Sequence, residues 1–455
     1  MLKKASAQPS PIVIEGTTHV RYLIVLTLFV ASTFSYGDRV VLSISAVSLV
    51  RDLRLDPLRL GYLFSGFAWA YAAAQLPAGG MLDRFGSKRV YGISIICWSV
   101  CALLSGLSGY LPAIAAFYTL LGLRLLSGLA QSPVFPGNGR IVAAWFPTAE
   151  RGRASAVFNS SQYFSLVFFA PIMGWLVRLW GWKECFWFAG AVGLALSAVW
   201  FKVVYSVRTH PRISEAEIDT IERGGGLVSM DSTGRTGANA LTWATVRWLL
   251  GRRMLVGVYL GQFCITTLTW FFLTWFPVYL NRARHLPIVA VGFLAAIPAL
   301  CGFAGGILGG VVSDWLLKAG RTLTFARKAP IVTGMTLAMS MVACNYVNTR
   351  LAVMMLMSLA FFGKGFGALG WTVISDTSPK GLVGVNGGLF NLIGNLAGVT
   401  TPIIIGYLVK STGSFQDALI FVAATALMAI VAYLPIVGEI RRLDAPAGLM
   451  RGSNT

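Results

Sequence analysis

Charged residues are scarce in this chain of 455 residues, where Asp, Glu, Lys and Arg together make up 12% of the sequence. Soluble globular domains carry about twice that fraction, so an ordinary water-soluble enzyme is a poor fit, and so are disordered or collagen-like chains. Cysteine and histidine are also rare, with six and three residues. No Cys-x-x-Cys pair and no Cys/His cluster with metal-ligand spacing occurs, which argues against a disulfide scaffold and against a zinc or haem centre.

Apolar residues are abundant instead. They form 56% of the chain, the mean hydropathy is +0.70, and apolar runs of roughly 20 residues recur along the sequence. This pattern predicts an all-α polytopic membrane protein. The net charge of +20 could suggest a nucleic-acid partner, but in a chain with so few charges it indicates basic loops that face an anionic membrane surface. We therefore expect the lipid bilayer, and no nucleic acid, as a partner.

Twelve apolar segments are long enough to cross a bilayer, and a polar stretch separates the first six from the last six. The chain therefore divides into an N-terminal segment 1–19, a six-helix bundle 20–205, a linker 206–253, a second six-helix bundle 254–438 and a tail 439–455. The predicted spans are 20–49, 58–82, 90–109, 113–135, 154–178, 184–205, 254–280, 287–312, 328–347, 350–375, 383–410 and 415–438.

The distribution of basic residues predicts the topology. Most Lys and Arg residues fall on the side of the chain's two ends, which places both termini in the cytoplasm by the positive-inside rule. The first apolar run is not followed by a small-residue cleavage site, so we interpret it as a retained helix rather than a signal peptide.

The two halves resemble each other in sequence. Gly79-Gly80-Met81-Leu82-Asp83 ends the second span, and Gly309-Gly310-Val311-Val312-Ser313-Asp314 ends the eighth. Phe158-Asn159 in the fifth span is matched by Phe390-Asn391 in the eleventh, at an offset that agrees with the first pair to within one residue. Because an even number of spans gives both halves the same orientation, we predict a parallel pseudo-two-fold repeat with a binding site between the halves near the bilayer midplane.

The turn Asp83-Arg84-Phe85-Gly86-Ser87-Lys88-Arg89 resembles the signature loop of the major facilitator superfamily. Within that superfamily the chain resembles the anion:cation symporter family and, in particular, bacterial glucarate/galactarate (hexarate) transporters, over roughly 20–443. The motifs that carry this resemblance are Tyr36-Gly37-Asp38-Arg39, Phe67-Ala68-Trp69-Ala70-Tyr71, Phe135-Pro136-Gly137-Asn138, Trp145-Phe146-Pro147, Phe271-Phe272-Leu273-Thr274-Trp275-Phe276-Pro277 and Phe361-Phe362-Gly363-Lys364-Gly365-Phe366-Gly367.

This resemblance implies the major facilitator fold and proton-coupled uptake of sugar-acid anions, of the glucarate/galactarate type, by alternating access across a bacterial inner membrane. We expect a monomer with no enzymatic activity and no cofactor, protons being the coupling ion. A transporter of monocarboxylate sugar acids (galactonate type) or of another organic anion is the alternative. A membrane receptor or sensor without transport is a remote alternative, because the polar segments are too small for a structured output domain.

Charged side chains inside apolar spans indicate a functional or structural role, because inserting each into the membrane costs at least roughly 2.5–3.5 kcal/mol. Asp38 and Arg39 are adjacent and point about 100° apart on a helix, so each should contact a different neighbour. Asp38 is predicted to carry the coupling proton, and the alternative is a buried structural ion pair with Arg124. Arg39 is predicted to bind a substrate carboxylate. Lys364 is the second candidate cation, and it either snorkels toward the interface or meets an anion. In the second case Arg39 and Lys364 would match the two carboxylates of a hexarate.

Substrate hydroxyl groups call for amide, hydroxyl and aromatic partners inside the spans. The resemblance implies sugar-acid contact at Tyr71, Gln162 and Asn391. The alternative for any single Asn or Trp is a purely structural contact between helices. Trp371 is expected on the same helix face as Lys364, two turns away. The full set of uncharged candidates is Tyr71, Asn159, Gln162, Trp371, Ser375, Asn391 and Asn395.

Gln131 is a departure from the family pattern. It lies two turns from Arg124 on one predicted helix face, where similar transporters usually have a glutamate implicated in proton coupling. An amide keeps the size and the hydrogen bonding of that side chain but cannot bind and release a proton near neutral pH. Either coupling depends on Asp38 alone, or the chain is a charge-neutralised, coupling-impaired variant that holds one conformation. The otherwise intact surrounding motif favours the second interpretation.

The charged turns at the ends of the second and eighth spans predict a gate. The charges of the turn after the second span are expected to pair with a helix end of the eleventh span in one state and to release it in the other. The alternative is that they only determine topology. The predicted gate residues are Asp83, Arg84, Lys88, Arg89 and Asp314.

A stripe of glycines in the eighth span predicts close helix packing. Gly302, Gly306 and Gly310 recur every four residues, so they share one helix face. Small residues at this spacing let two membrane helices approach closely. We therefore expect a neighbouring helix to pack against these three glycines.

Overall fold

The computed structural model describes residues 18–148, 150–229, 243–379 and 382–444. Most of the predicted N-terminal segment, part of the linker and most of the tail lie outside the described residues. The first half contains α1 (Val20–Leu53), α2 (Pro57–Phe85), α3 (Ser87–Leu107), α4 (Ala113–Gln131), α5 (Val134–Trp145), α6 (Arg151–Leu179) and α7 (Trp182–Val203). The predicted linker contains α8 (Glu215–Arg223) and α9 (Trp243–Leu250). The second half contains α10 (Arg253–Trp270), α11 (Phe276–Arg282), α12 (Ile288–Lys318), α13 (Leu323–Ala338), α14 (Arg350–Phe366), α15 (Gly370–Thr377), α16 (Val383–Thr412) and α17 (Gln416–Val431).

Ten helical stretches within these ranges are long and apolar enough to cross a membrane. Five of them combine consecutive elements: α3 with the 3₁₀ turn Ser108–Tyr110, α4 with α5, α10 with α11 through a π-helical turn at Phe271–Trp275, α14 with α15, and α17 with a π-helical turn at Ala432–Ile436. The two other predicted spans correspond to α2 and to α13 with its 3₁₀ continuation Met339–Asn345. The predicted twelve-span, all-α architecture is confirmed. Several helices run past the predicted ends, α12 as far as Lys318, because a helix continues into the headgroup region where apolarity no longer marks it.

The two bundles meet closely at the end of the fold that carries the connections 54–56, 180–181, 283–287 and 413–415, which we call the loop end. A Cβ atom on Gly61 of α2 would lie 2.6 Å from the carbonyl oxygen of Pro402 on α16. On the other side of the boundary between the bundles, which we call the seam, a Cβ atom on Gly292 of α12 would lie 2.5 Å from the carbonyl oxygen of Ala170 on α6. Glycine at these positions lets the backbones touch, so the halves are sealed at the loop end.

Polar contacts cross the same seam. The Lys410 ammonium lies 3.0 Å from a carboxylate oxygen of Asp56, which also caps the N-terminus of α2. The Ser43 hydroxyl donates a hydrogen bond to the backbone carbonyl of Thr274 at 2.7 Å. The loop end is therefore held by backbone packing, one ion pair and one buried hydrogen bond.

The glycine face of α12 differs from the predicted one. A Cβ atom on Gly305 would lie 2.2 Å from the carbonyl oxygen of Phe362 on α14, and one on Gly309 would lie 2.1 Å from that of Phe366. Gly302 belongs to this contact as predicted, but Gly306 has only loose neighbours and Gly310 has none within 4 Å. The face therefore repeats at three and four residues, as the 3.6-residue helical period requires, and the strict four-residue stripe was wrong.

The tenth span is not one continuous helix. α14 ends at Phe366 and α15 begins at Gly370, so Lys364 and Trp371 do not share one helix face as predicted. Lys364 is buried and Trp371 is exposed. The run Gly363-Lys364-Gly365-Phe366-Gly367 explains the break, because glycine disfavours helix and allows the close approach of α12 and α13 at this point.

The first part of the linker is fixed to the N-terminal bundle at the end opposite the loop end, which we call the terminal end. The wholly buried Glu217 carboxylate on α8 accepts hydrogen bonds from the backbone amides of Val20 and Arg21, at 3.1 and 3.2 Å. A carboxylate at this place satisfies free amides of α1 and interacts favourably with the helix dipole. His210 packs edge-on against Trp145, and burial lowers the pKa of its imidazole, so the ring stays neutral and packs as an aromatic group at neutral pH.

We predict that Gly309→Ala destabilises the protein and that the adjacent Gly310→Ala does not. The added methyl group at Gly309 meets the backbone oxygen of Phe366, which can move only with its helix, and such overpacking costs about 1–3 kcal/mol. At Gly310 the methyl group enters open space and improves helix propensity. Thermal unfolding in detergent, followed by tryptophan fluorescence, compares the two. Equal melting temperatures for both variants would show that the α12–α14 contact is not tight.

Candidate functional site

The Asp38 carboxylate lies in a buried polar cluster between α1 and α4. Arg124 donates to its Oδ2 atom at 2.8 Å, and the Gln131 side-chain amide donates to the same oxygen at 3.2 Å. The Gln131 carbonyl oxygen accepts a hydrogen bond from Ser35 at 2.8 Å. Asp38 and Arg124 are 5% and 4% exposed, and Gln131 is fully buried. The structure therefore contains the ion pair that was the alternative interpretation of Asp38, with Gln131 on the predicted face beside it.

Arg39 points away from this cluster, as the 100° offset predicts, and enters an aromatic cage. Its guanidinium carbon lies 4.7 Å from the ring centre of Tyr36, 4.3 Å from Phe67 and 5.4 Å from Tyr71. Trp270 of the other half completes the cage at 5.8 Å. Arg39 is 8% exposed and its buried Nε has no hydrogen-bond partner. Among the residues that the structure describes, no carboxylate forms an ion pair with it.

Lys364 is the corresponding cation of the second half. Its ammonium donates to the hydroxyl of Tyr163 on α6 at 3.4 Å and lies 5.4 Å from the ring centre of Phe361. It is 4% exposed, and no carboxylate in the described ranges pairs with it. Phe361 stacks on Phe272 with ring centres 4.2 Å apart, and Phe272 is two residues after Trp270 of the Arg39 cage. The two cation pockets are therefore neighbours along one aromatic wall between the halves.

Amide side chains connect the halves beside these pockets. Asn391 of α16 donates to the side-chain oxygen of Gln75 on α2 at 3.1 Å, and Asn395 donates to the side-chain oxygen of Asn391 at the same distance. Of the uncharged candidates, the structure thus brings Asn391 and Asn395 into one interhelical chain and Tyr71 into the Arg39 cage. Gln75 was missed from the sequence, although a glutamine one turn after Tyr71 in an apolar span was an available signal.

Other uncharged candidates make local contacts. The Gln162 amide donates to the backbone carbonyl of Asn159 at 3.3 Å, and the Asn159 side chain is exposed. The Ser375 hydroxyl donates to the backbone carbonyl of Trp371 at 3.0 Å. Trp371 stacks on Phe135 of the first half, with ring centres 5.9 Å apart. Asn159 and Ser375 are therefore not brought to the cation pockets in this arrangement, whereas Trp371 contributes to a contact between the halves on the terminal side.

The predicted gate charges pair within their own halves. Asp83 contacts Arg140 of the same half, and Asp314 lies 3.4 Å from Arg327, which also pairs with Asp376 at 2.8 Å. Two of the charges that follow Asp83 contact aromatic rings of the same half: Arg84 lies over the ring of Phe85 and Lys88 over that of Tyr205. Arg89 is exposed. In the described residues none of these charges bridges the two halves.

Several residues of the site escaped prediction. Two of them, Ser35 and Tyr36, shortly precede the charged pair of α1. Tyr163 follows the predicted Gln162, and Trp270 precedes the motif quoted for the seventh span. Each is an ordinary constituent of an apolar helix, so its identity carried no signal. Their roles follow from contacts between helices that are distant in sequence.

Comparison with known proteins agrees with this architecture. A family model described as Major Facilitator Superfamily matches residues 28–402. The chain is 55% identical over 426 residues to the probable galactarate/D-glucarate transporter GudP of Bacillus subtilis (strain 168), covering 94% of each chain. It is 51% identical to the protein of the same name in Escherichia coli (strain K12), covering 95% of this chain and 96% of that one. It is 38% identical to the D-galactonate transporter of Escherichia coli O6:H1, covering 93% of this chain and 97% of that one.

Solved structures share the fold at low sequence identity. A D-xylose-proton symporter superposes with a TM-score of 0.71 at 15% identity, over 92% of this chain and 98% of that one. A bacterial homolog of the human lysosomal transporter Spinster, in an inward-facing and occupied conformation, gives a TM-score of 0.65 at 16% identity, over 92% of this chain and 97% of that one. The sequence resemblance and the twelve-helix arrangement thus lead independently to one family, and the chain belongs to the major facilitator superfamily.

Proposed function

We propose that the chain is a secondary transporter that takes up hexarate dianions, of the galactarate and D-glucarate type, without chemically altering them. The observation that carries this proposal is the pair of buried cations, Arg39 in one half and Lys364 in the other, neither of which has a carboxylate partner in the described residues. The names of the relatives with 55% and 51% identity support the same substrate class.

An uncompensated buried cation is costly, so its position should be explained by something that neutralises it. Aromatic rings around Arg39 recover on the order of 0.5–2 kcal/mol through cation–π interaction, which is less than the insertion cost. A hexarate has a carboxylate at each end and can neutralise both cations at once. Its hydroxyl groups would meet Tyr71, Gln75 and Asn391, which offer hydrogen bonds without adding charge.

The two cations also distinguish this substrate from the alternative. A monocarboxylate such as galactonate, which the name of the relative with 38% identity suggests, neutralises only one of them. The other cation would then remain buried without an anion. The geometry therefore favours a dicarboxylate, and Lys364 is the residue that should make the distinction.

We predict that Lys364→Asn lowers uptake of galactarate and D-glucarate much more than uptake of a monocarboxylate sugar acid. The change removes the charge for the second carboxylate but retains a side chain that can hydrogen-bond. Counterflow of labelled substrate in proteoliposomes measures both uptakes, and Lys202→Asn, an exposed lysine at the end of α7, is the control. Losing one strong charge-assisted interaction corresponds to about tenfold or more in affinity for the dianion. Equal loss for both substrates would remove the argument for a dicarboxylate site.

Proton coupling is the second part of the proposal, and here the chain departs from its family. The Gln131 amide donates to Asp38, as a protonated glutamate would, but it cannot release a proton. Protonating Asp38 instead would break its pair with Arg124, and loss of one partner of a buried pair costs on the order of 3–5 kcal/mol. We therefore infer that the chain exchanges substrate but couples poorly to protons.

We predict that Gln131→Glu raises proton-driven accumulation of hexarate while leaving exchange activity similar. The new carboxyl group adds a titratable site beside the Asp38–Arg124 pair, and proton gradients can act only through such a site. Uptake into proteoliposomes with and without an imposed pH gradient measures accumulation, and counterflow without a gradient is the control. If the unaltered chain accumulates hexarate with protons as strongly as Gln131→Glu does, coupling resides at Asp38 and the impaired-coupling proposal is wrong.

The orientation completes the proposal. We place the terminal end in the cytoplasm, because basic residues concentrate there. We propose that the protein acts as a monomer in the bacterial inner membrane. In that orientation the sealed loop end faces outward, and the gate charges that pair within their own halves face the cytoplasm. The arrangement then corresponds to a state of alternating access that is closed to the outside.

A further inference from the structure

A basic cleft at the terminal end of the second half lies apart from the site between the halves. It has a volume of about 470 Å³ and lies between the start of α10 and the chain that follows α17. Its walls include Arg252 and Arg253 on one side and Arg441 on the other, with Glu439 as the acid among the lining residues. The cleft therefore has an excess of positive charge.

Two of the three arginines of this cleft are held in place without being neutralised. Arg253 donates to the backbone carbonyl of Pro435 at 2.8 Å, and the guanidinium of Arg252 lies over the ring of Trp248, 4.5 Å from its centre. No ion pair involves Arg252, Arg253 or Arg441 in the described part of the chain. Carbonyl and aromatic contacts position a guanidinium but leave its charge available for an anion.

Both walls are anchored, so the cleft is a built feature of the fold. The segment after α17 is attached by two hydrogen bonds from its backbone. The amide of Ile440 donates to the hydroxyl of Thr324 at 2.9 Å, and the amide of Leu443 donates to the carbonyl of Thr377. Below the cleft, a Cβ atom on Gly257 would lie 2.8 Å from the Val437 side chain. α10 and the end of the last span are therefore in contact at the floor.

The position of the cleft indicates the origin of its ligand. α10 enters the membrane at Arg253, and the preceding α9 exposes Trp243 and Leu250, a combination typical of a helix at the membrane interface. The exposed apolar residues Val256 and Leu434 continue from the cleft along the spans. A ligand with an anionic phosphate at headgroup depth and acyl chains along these residues would match both parts of the surface.

We propose that this cleft binds the phosphate of an anionic phospholipid headgroup, through Arg252, Arg253 and Arg441. Guanidinium groups suit phosphate oxygens because their N–H donors match them in pairs. The lipid would connect the beginning of the seventh span to the end of the twelfth. This inference does not depend on the substrate or coupling proposals.

The test is a titration of the purified full chain in neutral detergent with phosphatidylglycerol or phosphatidylcholine, with bound lipid counted by native mass spectrometry. We expect preference for phosphatidylglycerol, lost in the double variant Arg252→Gln, Arg441→Gln, in which Arg253 still holds Pro435. Each arginine near an anionic lipid contributes about fivefold in affinity, so the double change should cost roughly thirtyfold. Arg153→Gln, an exposed arginine on α6 at the same end, should change nothing.

Three results would overturn the proposal. Equal binding of the two lipids by the unaltered chain would show that phosphate charge is not recognised. Unchanged phosphatidylglycerol affinity in the double variant would show that the lipid binds elsewhere. Displacement of the lipid by millimolar inorganic phosphate would assign the cleft to a soluble phosphate compound instead. If the double variant does not fold, the single variants Arg252→Gln and Arg441→Gln answer the same question at about fivefold each.

Discussion

The interior of this protein depends on how its buried charges are neutralised, because hydrocarbon cannot solvate them. The first half has an acid well inside its spans, Asp38, and its carboxylate forms an ion pair with the Arg124 guanidinium at 2.8 Å. Arg39, the next residue along the chain, has no counter-ion among the described residues and is surrounded by aromatic rings instead. In the second half, Lys364 likewise contacts the Tyr163 hydroxyl and no carboxylate of the described residues. An anion between the halves would balance these two cations, which no carboxylate of the described residues does.

If a dianion binds both cations, its binding is also coupled to the closing of the halves. Arg39 is bounded by Trp270 of the second half, and Lys364 is bounded by Tyr163 of the first. Each cation is therefore enclosed partly by the opposite bundle, so its surroundings change when the bundles separate. A dianion that contacts both cations would favour states in which the bundles stay close around it, which is the differential affinity that alternating access requires.

The sequence was sufficient for features that depend on apolar run length and local helix geometry. The twelve spans and the different directions of Asp38 and Arg39 follow from the length of a membrane helix and from its 100° step per residue. Contacts set by tertiary packing were less accessible. The glycine-rich segment at Gly363–Gly367 allowed either a continuous helix or a break, and only the approach of α12 decides between them. Gln75 became a candidate only when Asn391, more than 300 residues away, was found beside it.

The π-helical turn at Phe271–Trp275 has a mechanical consequence. Hydrogen bonds that span five residues widen this turn, so Trp270 and Trp275 lie closer to one side of the span than α-helical geometry would place them. Trp270 borders the Arg39 cage, and Trp275 packs edge-on against Phe64 of the first half and donates to the Pro402 carbonyl. One wide turn therefore positions two tryptophans, one at the Arg39 cage and one at the contact between the halves. A rotation of this turn that separates Trp275 from Phe64 would also move Trp270 relative to Arg39, so opening at the loop end and access to Arg39 would be coupled.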